Sequence, residues 1–317
     1  MAESFLAVRP AWRAVGGAWR MKDRLLRRTV AGIDLDNPIG LAAGFDKQCQ
    51  YLESLGHLGF GYLVGGTVTP DPRPGNPRPR LLREQATQSL VNSMGFPSDG
   101  LQVVAERLRR RRRRPVPLVV SIAALDVAGF QECHQKLEPL ADAIELNISS
   151  PNTQGLRRFQ NPEQLSELLG HINAQRHKPL FLKLPPYTDD QSREQVFSLL
   201  HQCLTGGVTG VTAINTIPVT DPRLATGQGG LSGKVIFPDM LRIVGELRRE
   251  AGPDLVINAC GGISTGTEAW QALQAGADTV QLFTAMVYQG PAVARAIALE
   301  LAARLRAQQA DAALNVS

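Results

Sequence analysis

Residues 143–152 read AIELNISSPN, a short apolar run that ends in hydroxyl and carboxamide side chains. Runs of this size recur along the chain and alternate with helix-length segments. The eight runs are residues 39–45, 62–68, 118–125, 143–148, 180–184, 211–215, 255–259 and 279–285. Most are continuously apolar, as expected for parallel strands that are buried on both faces. Eight strand–helix pairs without an obvious linker predict an α/β protein, a single closed (β/α)8 barrel of the TIM type.

The segments between the runs carry helix signals. Residues 161–175, 189–204 and 237–250 are of helix length, and Asn161 followed by Pro162 is typical of an N-cap with proline at the first helical position. The main alternative is a doubly wound open sheet, which usually has fewer strands and a GxGxxG turn after the first one. No such turn follows the first run, so we expect the barrel to comprise residues 31–317.

Length and composition agree with this fold. The chain has 317 residues, which suits a barrel of ~250 residues with extensions. Apolar residues make up 43%, which argues against an intrinsically disordered chain. The longest apolar stretches are far shorter than the ~20 residues that a membrane span needs.

The net charge of +5 comes from one arginine run. The chain has 34 basic and 29 acidic residues, and residues 109–114 supply six of the basic ones, so 28 basic residues face 29 acidic ones elsewhere. This is not the distributed basic surface of a nucleic-acid-binding protein, and we expect no nucleic-acid partner. The run ends a helical pattern just before Pro115, where cations suit a helix C-terminus. A solvated helix end is one interpretation, and contact with an anionic partner or membrane surface is the other.

Residues 1–30 form a second predicted unit, a short N-terminal helical extension. Apolar and aromatic side chains alternate there with arginine and lysine, and Pro10 and Gly16-Gly17 interrupt the pattern. A basic amphipathic helix of this kind can lie on a membrane surface, or it can cap the bottom of the barrel. The sequence leaves both interpretations open.

The cysteines indicate the compartment. Cys49, Cys133, Cys203 and Cys260 have neither the spacing of a zinc site nor that of a CxxC redox pair. We therefore expect structural thiols and no metal. No signal-peptide pattern is visible, so the expected location is the cytoplasm, with peripheral contact to the inner face of the cell membrane if residues 1–30 bind there.

Polar and glycine-rich residues follow six of the eight runs, where a barrel carries its chemistry. Residues 260–262 follow the seventh run and residues 283–284 stand at the end of the eighth, in the region where barrels commonly bind phosphate. They predict a phosphate-bearing ligand, with ordinary tight turns as the alternative.

Two of the six lysines, Lys47 and Lys183, also stand at strand ends. Lys183 follows apolar residues, so we expect it to point into the barrel mouth. A buried ammonium there needs a phosphate, a carboxylate or an electron-rich ring, whereas a snorkelling lysine would need none.

Carboxamides recur at the same predicted rim, in residues 147–152, at Asn92 and at Asn215. Their paired donors and acceptors suit a planar, amide-rich ligand. His134 and His171 fall in helical patterns, so a Ser-His-Asp triad is unsupported.

Seven segments together carry a family resemblance: residues 40–47 (GLAAGFDK), 66–70 (GTVTP), 74–76 (PGN), 92–96 (NSMGF), 147–153 (NISSPNT), 229–233 (GGLSG) and 288–291 (YQGP). In this order, over about residues 30–300, the chain resembles the dihydroorotate dehydrogenase family. Ser150 stands where other classes of the family have Cys, and this resembles the quinone-linked class 2 enzymes.

The resemblance implies oxidation of dihydroorotate to orotate in de novo pyrimidine biosynthesis, with FMN as cofactor and a quinone as electron acceptor. It implies that Ser150 takes the C5 proton while the C6 hydride passes to the flavin N5. The implied pyrimidine contacts are Lys47, Asn92, Gly95, Phe96, Asn147, Asn152, Asn215 and Thr216. The implied FMN contacts are Ala43, Gly44, Lys47, Thr67, Ser121, Asn147 and Lys183 toward the flavin, and Gly233, Gly262, Phe283 and Thr284 at the phosphate.

The chain departs from the class 2 pattern in several places. Residues 121–126 read SIAALD where the class usually has Asn and then a Gly-Lys-Asn-Lys stretch, and Ile214 replaces a Thr. The loop of residues 217–228 looks short for a substrate lid, and the N-terminal part is shorter than the two-helix quinone domain. Each lost neutral hydrogen bond costs ~0.5–1.5 kcal/mol, so two or three would weaken FMN binding roughly 10- to 1,000-fold.

These departures keep two other interpretations open. One is an FMN barrel oxidoreductase that acts on another pyrimidine-like substrate or uses a soluble acceptor, which the short loop and N-terminus favour. The other is a non-catalytic member that serves as a binding subunit, which Ser121, Ala124 and Ile214 favour.

Overall fold

The computed structural model describes Trp19 and residues 21–110, 114–150 and 155–314. Eight parallel strands close into a barrel, in chain order around the axis. They are β3 (Ile39–Leu41), β4 (Tyr62–Val68), β7 (Leu118–Ile122), β8 (Ala143–Asn147), β9 (Leu180–Lys183), β10 (Gly210–Ala213), β13 (Val256–Cys260) and β14 (Thr279–Leu282). Each predicted run contributes one barrel strand, which confirms the (β/α)8 fold.

Helices cover the outside of the barrel. They are α1 (Leu52–Gly56), α2 (Leu101–Arg110), α3 (Val127–Leu137), α4 (Pro162–Asn173), α5 (Asp190–Thr205), α6 (Phe237–Ala251), α7 (Gly266–Gln274), α8 (Thr284–Gln289) and α9 (Val293–Leu314). Asn161 caps α4 as predicted, because its side chain accepts hydrogen bonds from the backbone of Glu163 and Gln164. The larger core lies between these helices and the strands, where α6, for example, buries Met240, Ile243, Val244 and Leu247.

Three barrel strands end earlier than the apolar runs predicted. The strands β3, β7 and β14 stop at Leu41, Ile122 and Leu282, three residues or more before the runs end. After β3 the chain turns at Gly44, whose φ of +95° is strained for any residue with a side chain. Ala42 and Gly44 still donate to the carbonyls of Leu282 and Gly66, so the chain leaves the neighbouring strands at this turn, at the rim of the barrel.

A short hairpin closes the amino end of the barrel. It consists of β1 (Arg28–Val30) and β2 (Ile33–Leu35). Its two-residue turn has positive φ at Ala31 (54°) and Gly32 (75°), as a type I′ turn requires. Leu35 packs with apolar side chains of the barrel interior, and Val30 and Ile33 pack against the same cluster.

This hairpin corrects part of the predicted N-terminal extension. Residues 28–30 form a strand and not a helix, because the I′ turn and the β-branched Thr29 and Val30 favour the hairpin. Residues 1–18 and Arg20 lie outside the described part of the chain, so the membrane-contact and capping interpretations both stay predictions.

A second sheet lies over the carboxyl ends of the barrel strands. It contains β5 (Leu81–Glu84), β6 (Ser89–Asn92), β11 (Ile217–Thr220) and β12 (Gln228–Gly233), antiparallel in the order β11-β12-β6-β5. We call it the roof sheet. It was not predicted from the sequence, and the supposed short lid loop, residues 217–228, forms the β11–β12 hairpin of this sheet.

The arginine run is only partly a solvated helix end. Arg109 and Arg110 lie in the last turn of α2 beside Glu106, and both are exposed. Arg114 instead folds back, and its guanidinium donates to the carbonyl of Leu140 at 2.7 Å. Residues 111–113 lie outside the described residues.

Three of the four thiols are buried as expected for structural cysteines. Burial raises the pKa of Cys49, Cys133 and Cys203 above the ordinary thiol value. Cys260 differs, because it lines a cavity at the carboxyl end of the barrel. Across the residues that the structure describes, no helix is long and apolar enough to span a membrane.

Candidate active site

The rim of the barrel and the roof sheet enclose a cavity of about 370 Å³. Seven of the eight barrel strands, or the residues directly after them, contribute to its lining, and within the described chain only β7 does not. The structure brings together the following predicted site residues in its wall: Ala43, Gly44, Lys47, Thr67, Asn92, Gly95, Phe96, Asn147, Ser150, Lys183, Asn215, Thr216, Gly233, Gly262, Phe283 and Thr284. Asn152 lies outside the described residues, so its role stays a prediction.

Ser121 lies behind the wall of the cavity. It is fully buried on β7, and its hydroxyl lies 3.1 Å from that of Thr67, which does line the cavity. The short side chain at position 121 thus supports a lining residue from behind and does not reach the cavity itself.

A continuous hydrogen-bond network crosses the rim from Thr67 to Asn215. The Asn147 amide donates to the Thr67 hydroxyl at 3.0 Å. The Ser149 hydroxyl donates to the Asn147 oxygen at 3.3 Å and accepts from the Asn215 amide at 3.0 Å. Since Asn215 also accepts from the Thr216 backbone, each rotamer in the network is fixed by its neighbour.

Ser150 is buried beside this network and lines the cavity. None of the chain's five histidines lines the cavity, and neither does any Asp or Glu of the described residues. The described wall therefore contains no Ser-His-Asp triad.

The ionisable side chains of the wall are mainly cationic. They are Lys47, Arg83, Lys183 and Lys234, together with Cys260 and Tyr288. Four cations without an acid in the described wall give a positive potential, which favours anionic ligands such as a phosphate or a carboxylate.

Lys47 stands on the turn after β3. Its ammonium donates to the Gly44 carbonyl. Burial, followed by the repulsion of Arg80, lowers the pKa of Lys47 to about 8, although Asp46 opposes the shift. Asp46 itself accepts from the backbone of Gln50 and Tyr51 and so holds the turn that presents the lysine.

Lys183 ends β9 and points into the cavity as predicted, with 5% of its surface exposed. No hydrogen bond or ion pair joins its ammonium to another residue of the described chain. A buried ammonium without a direct hydrogen-bond acceptor is costly, so this arrangement favours an electron-rich ligand above it.

Two glycines leave bare backbone at the loops after β12 and β13. Gly233 has φ +103°, and a Cβ there would lie 2.4 Å from the Gln88 carbonyl. Gly262 has φ +72°, and a Cβ there would lie 2.7 Å from the Phe237 backbone nitrogen. Thr284 joins the two sides, because its hydroxyl lies 3.0 Å from that of Ser232 on β12. Bare peptide groups in this position can approach a phosphate closely.

Sequence reasoning missed three residues that build the site. Ser149 links two carboxamides, and the hydroxyl of Ser232 connects the roof sheet with Thr284. Gln281 lines the cavity from inside the barrel. A signal existed for Gln281, because a polar residue inside an apolar strand run must point toward a polar interior. Ser232 could not be found, since its role depends on the roof sheet.

Comparison with known proteins gives a consistent family. A family profile described as "Dihydroorotate dehydrogenase" matches residues 25–305. A Chloroflexus aurantiacus protein named "Dihydroorotate dehydrogenase (quinone)" is 37% identical over 94% of this chain and 87% of its own length. A protein of the same name from Alkalilimnicola ehrlichii is 40% identical over 83% of this chain and 82% of its own.

Solved structures agree with the sequence comparison. The dihydroorotate dehydrogenase of Eimeria tenella in complex with ferulenol has a TM-score of 0.80 at 29% identity, covering 92% of this chain and 88% of that one. The ligand-free form of the Eimeria protein has a TM-score of 0.81, with 92% of both chains covered.

Proposed function

Since this chain belongs to the dihydroorotate dehydrogenase family, we propose that it oxidises dihydroorotate to orotate in de novo pyrimidine biosynthesis and passes the electrons to a quinone. The observation that carries the proposal is a cavity with a cationic wall that combines three carboxamides, Asn92, Asn147 and Asn215, with a glycine-lined loop pair. The carboxamides suit an amide-rich pyrimidine, and the cations suit its carboxylate and a cofactor phosphate.

The family implies a flavin, and we propose that it is FMN. One phosphate cradle, formed by Gly233, Gly262 and Thr284, fits a mononucleotide. The ammonium of Lys183 makes no direct hydrogen bond or contact ion pair within the described chain. Together with the hydroxyl of Thr67 and the amide of Asn147, it offers donors to an electron-rich ring. Bound there, FMN supplies the hydride acceptor of the reaction and the route of the electrons to the quinone.

The protein holds the substrate by charge and by amide pairing. Lys47 pairs with the carboxylate of dihydroorotate, while Asn92, Asn147 and Asn215 exchange hydrogen bonds with its ring amides. The Asn92 amide already donates to the Gly230 carbonyl at 3.3 Å, so the roof sheet orients it. Asn152 completes the proposed set by resemblance alone.

Ser150 takes the proton from C5 of the substrate in this proposal. A serine hydroxyl is a weak base, so it must pass the proton on as it accepts one. No carboxylate or imidazole of the described wall can receive that proton. We therefore propose that it leaves Ser150 to water.

The quinone approaches on the side of Leu81 in this proposal. Leu81 lines the cavity although 46% of its surface is exposed, so the cavity reaches solvent there. Leu90 and Val287 extend the same lining. Apolar side chains at an opening suit a quinone ring better than a charged soluble acceptor.

An anaerobic titration with dihydroorotate tests the proposal, with the visible flavin spectrum as readout. We expect a yellow protein that bleaches in proportion to added substrate. A yellow protein that does not bleach supports the alternative of another substrate. A colourless protein that takes up no FMN supports a non-catalytic binding subunit, and bleaching without reoxidation by quinones supports a different acceptor.

Replacing Gly262 by Ala is expected to weaken FMN binding at least tenfold. The added Cβ would collide with the start of α6, which must then shift away from the phosphate loop. Fluorescence titration of FMN into the apoprotein measures this. Gly252→Ala is the matched control, because Gly252 has nearly the same φ, +71°, with no atom within 4 Å of a Cβ. Equal FMN affinities in the two variants would contradict the proposed cradle.

Replacing Ile214 by Thr is expected to tighten FMN binding about 2- to 10-fold. Ile214 is buried and lines the cavity, so a hydroxyl there can make one neutral hydrogen bond, worth ~0.5–1.5 kcal/mol. The same titration measures the effect, and Ile214→Val, which shortens the side chain without a hydroxyl, should leave the affinity unchanged. If the Thr and Val variants bind FMN alike, the missing contact is compensated elsewhere.

A further inference from the structure

A carboxylate is buried inside the barrel, below the cavity. Glu145 is 1% exposed and lies on β8, two residues before the cavity-lining Asn147. Alternate residues of a strand face the same side, so Glu145 points to the barrel axis about 7 Å further from the rim. Nothing in the proposed reaction uses it.

Thr212 connects the Glu145 carboxylate with the strand position of Lys183. The Thr212 hydroxyl donates to Oε2 of Glu145 at 2.7 Å. Thr212 on β10 is also the direct strand partner of Lys183 on β9. The carboxylate therefore reaches the neighbour of the lysine whose ammonium has no partner in the described chain.

Two buried side-chain oxygens in this part of the barrel accept no hydrogen bond from the described chain. They are Oε1 of Glu145 and Oε1 of Gln281, both fully buried. A small chamber of about 20 Å³ lies among these two residues, Asn258, Thr279 and the apolar side chains of the β1–β2 hairpin. Such a volume holds one water, and one water can donate to both oxygens. This makes both Glu145 oxygens acceptors, as a carboxylate requires.

The Cys260 thiol lies within electrostatic range of both Lys183 and Glu145. Burial raises the pKa of this thiol, and of the two neighbouring charges Lys183 lowers it and Glu145 raises it. Lys183 and Glu145 therefore both influence the same buried thiol from inside the barrel.

We propose that Glu145 is the buried counter-ion of Lys183, held by Thr212 and by one internal water shared with Gln281, and that it acts as a positioning residue for the flavin site. The role of Glu145 at the flavin site rests on the proposed function, whereas its pairing with Lys183 does not. A flavin gains negative charge when it is reduced, so an ammonium above it favours the reduced form and a carboxylate behind the ammonium weakens that preference. Glu145 thereby limits how strongly the site stabilises reduced flavin.

A double-mutant cycle in the full chain stripped of flavin tests the ion pair. Glu145→Gln and Lys183→Met are each expected to raise the unfolding equilibrium constant at least tenfold, because each leaves one buried charge unpaired. The double variant should be no less stable than the less stable of the two single variants. Multiplicative effects of the two substitutions would overturn the pairing. This result does not depend on whether flavin binds.

The ratio of dissociation constants for oxidised and reduced FMN tests the effect on the site. Glu145→Gln is expected to favour reduced flavin by on the order of tenfold, the effect of one charge over about 10 Å in a protein. In the Lys183→Met background the same substitution should change the ratio less than twofold. Glu138→Gln is the matched control, since Glu138 is also buried but accepts from the backbone of His177 and Lys178 at the outside of the barrel.

The outcomes separate the two proposals. A ratio for Glu145→Gln within twofold of the parent would overturn the positioning role, even if the stability cycle shows the pair. Failure of the parent protein to bind FMN would overturn the proposed function and leave the cycle to decide the pair. A high-resolution crystal structure should show a water within hydrogen-bonding distance of both Glu145 Oε1 and Gln281 Oε1, and a dry chamber would contradict the bridge.

Discussion

Replacing Ser150 by Ala will abolish most flavin reduction by dihydroorotate while FMN remains bound. General base catalysis contributes typically 10²–10⁴-fold, and no Asp, Glu or His of the described wall can replace the lost base. Stopped-flow absorbance under anaerobic conditions measures the rate of bleaching. The flavin spectrum before mixing shows whether the cofactor is retained.

Ser149→Ala is the control for this variant. Ser149 is the adjacent serine, but it bonds to Asn147 and Asn215 and is not part of the cavity wall. Its loss should weaken substrate affinity more than the rate of bleaching at saturation. Turnover of Ser150→Ala close to that of the parent would refute the assignment of Ser150 as the base.

Replacing Lys47 by Met will reduce kcat/KM for dihydroorotate about 100-fold, mainly through KM. A hydrogen bond to a charged group is worth ~1.5–3 kcal/mol, and the substrate carboxylate would lose its ammonium partner. Steady-state kinetics with a quinone acceptor measures the change. Lys234→Met removes another lysine of the wall, but an exposed one, and should leave KM for dihydroorotate nearly unchanged.

The pH profile separates the charge of Lys47 from its shape. The pKa of Lys47 is lowered to about 8, so the ammonium is present below that pH and is lost above it. We expect kcat/KM to fall as the pH rises through about 8 in the parent protein. Lys47→Arg keeps its charge at every accessible pH and should lack this alkaline fall. An unchanged alkaline fall in the Arg variant would assign it to another group.

The barrel could be predicted from the sequence because parallel strands covered on both faces are continuously apolar. The end of β3 could not, since the chain turns away at Gly44 while the apolar run continues to residue 45. The hairpin of residues 28–35 was missed because its first residue, Arg28, continues the basic and apolar pattern of the preceding segment, which also suits an amphipathic helix. Turn geometry at Ala31 and Gly32 decides in favour of the strands.

The site could be predicted to the extent that it consists of strand ends. Thr67, Asn147, Lys183 and Asn215 line one cavity because parallel strands end at one rim. The roof sheet could not be predicted, because Asn92 pairs with Gly230, 138 residues away in the chain. The structure places Ser121 behind Thr67, and its flavin contact, which the resemblance implies, stays a prediction.

The paired strands β6 and β12 carry residues of both the proposed pyrimidine site and the proposed phosphate site. Asn92, proposed to hold the pyrimidine, lies opposite Gly230, and Ser89 lies opposite Gly233, proposed to approach the phosphate. The two ends of this ladder are only about 10 Å apart along the strand. We expect a ligand at one end to order the support of the other, and by linkage cofactor and substrate would then raise each other's affinity by the same factor. We therefore expect the apoprotein to bind orotate more weakly than the FMN-loaded protein does, and FMN to dissociate faster when no pyrimidine is bound.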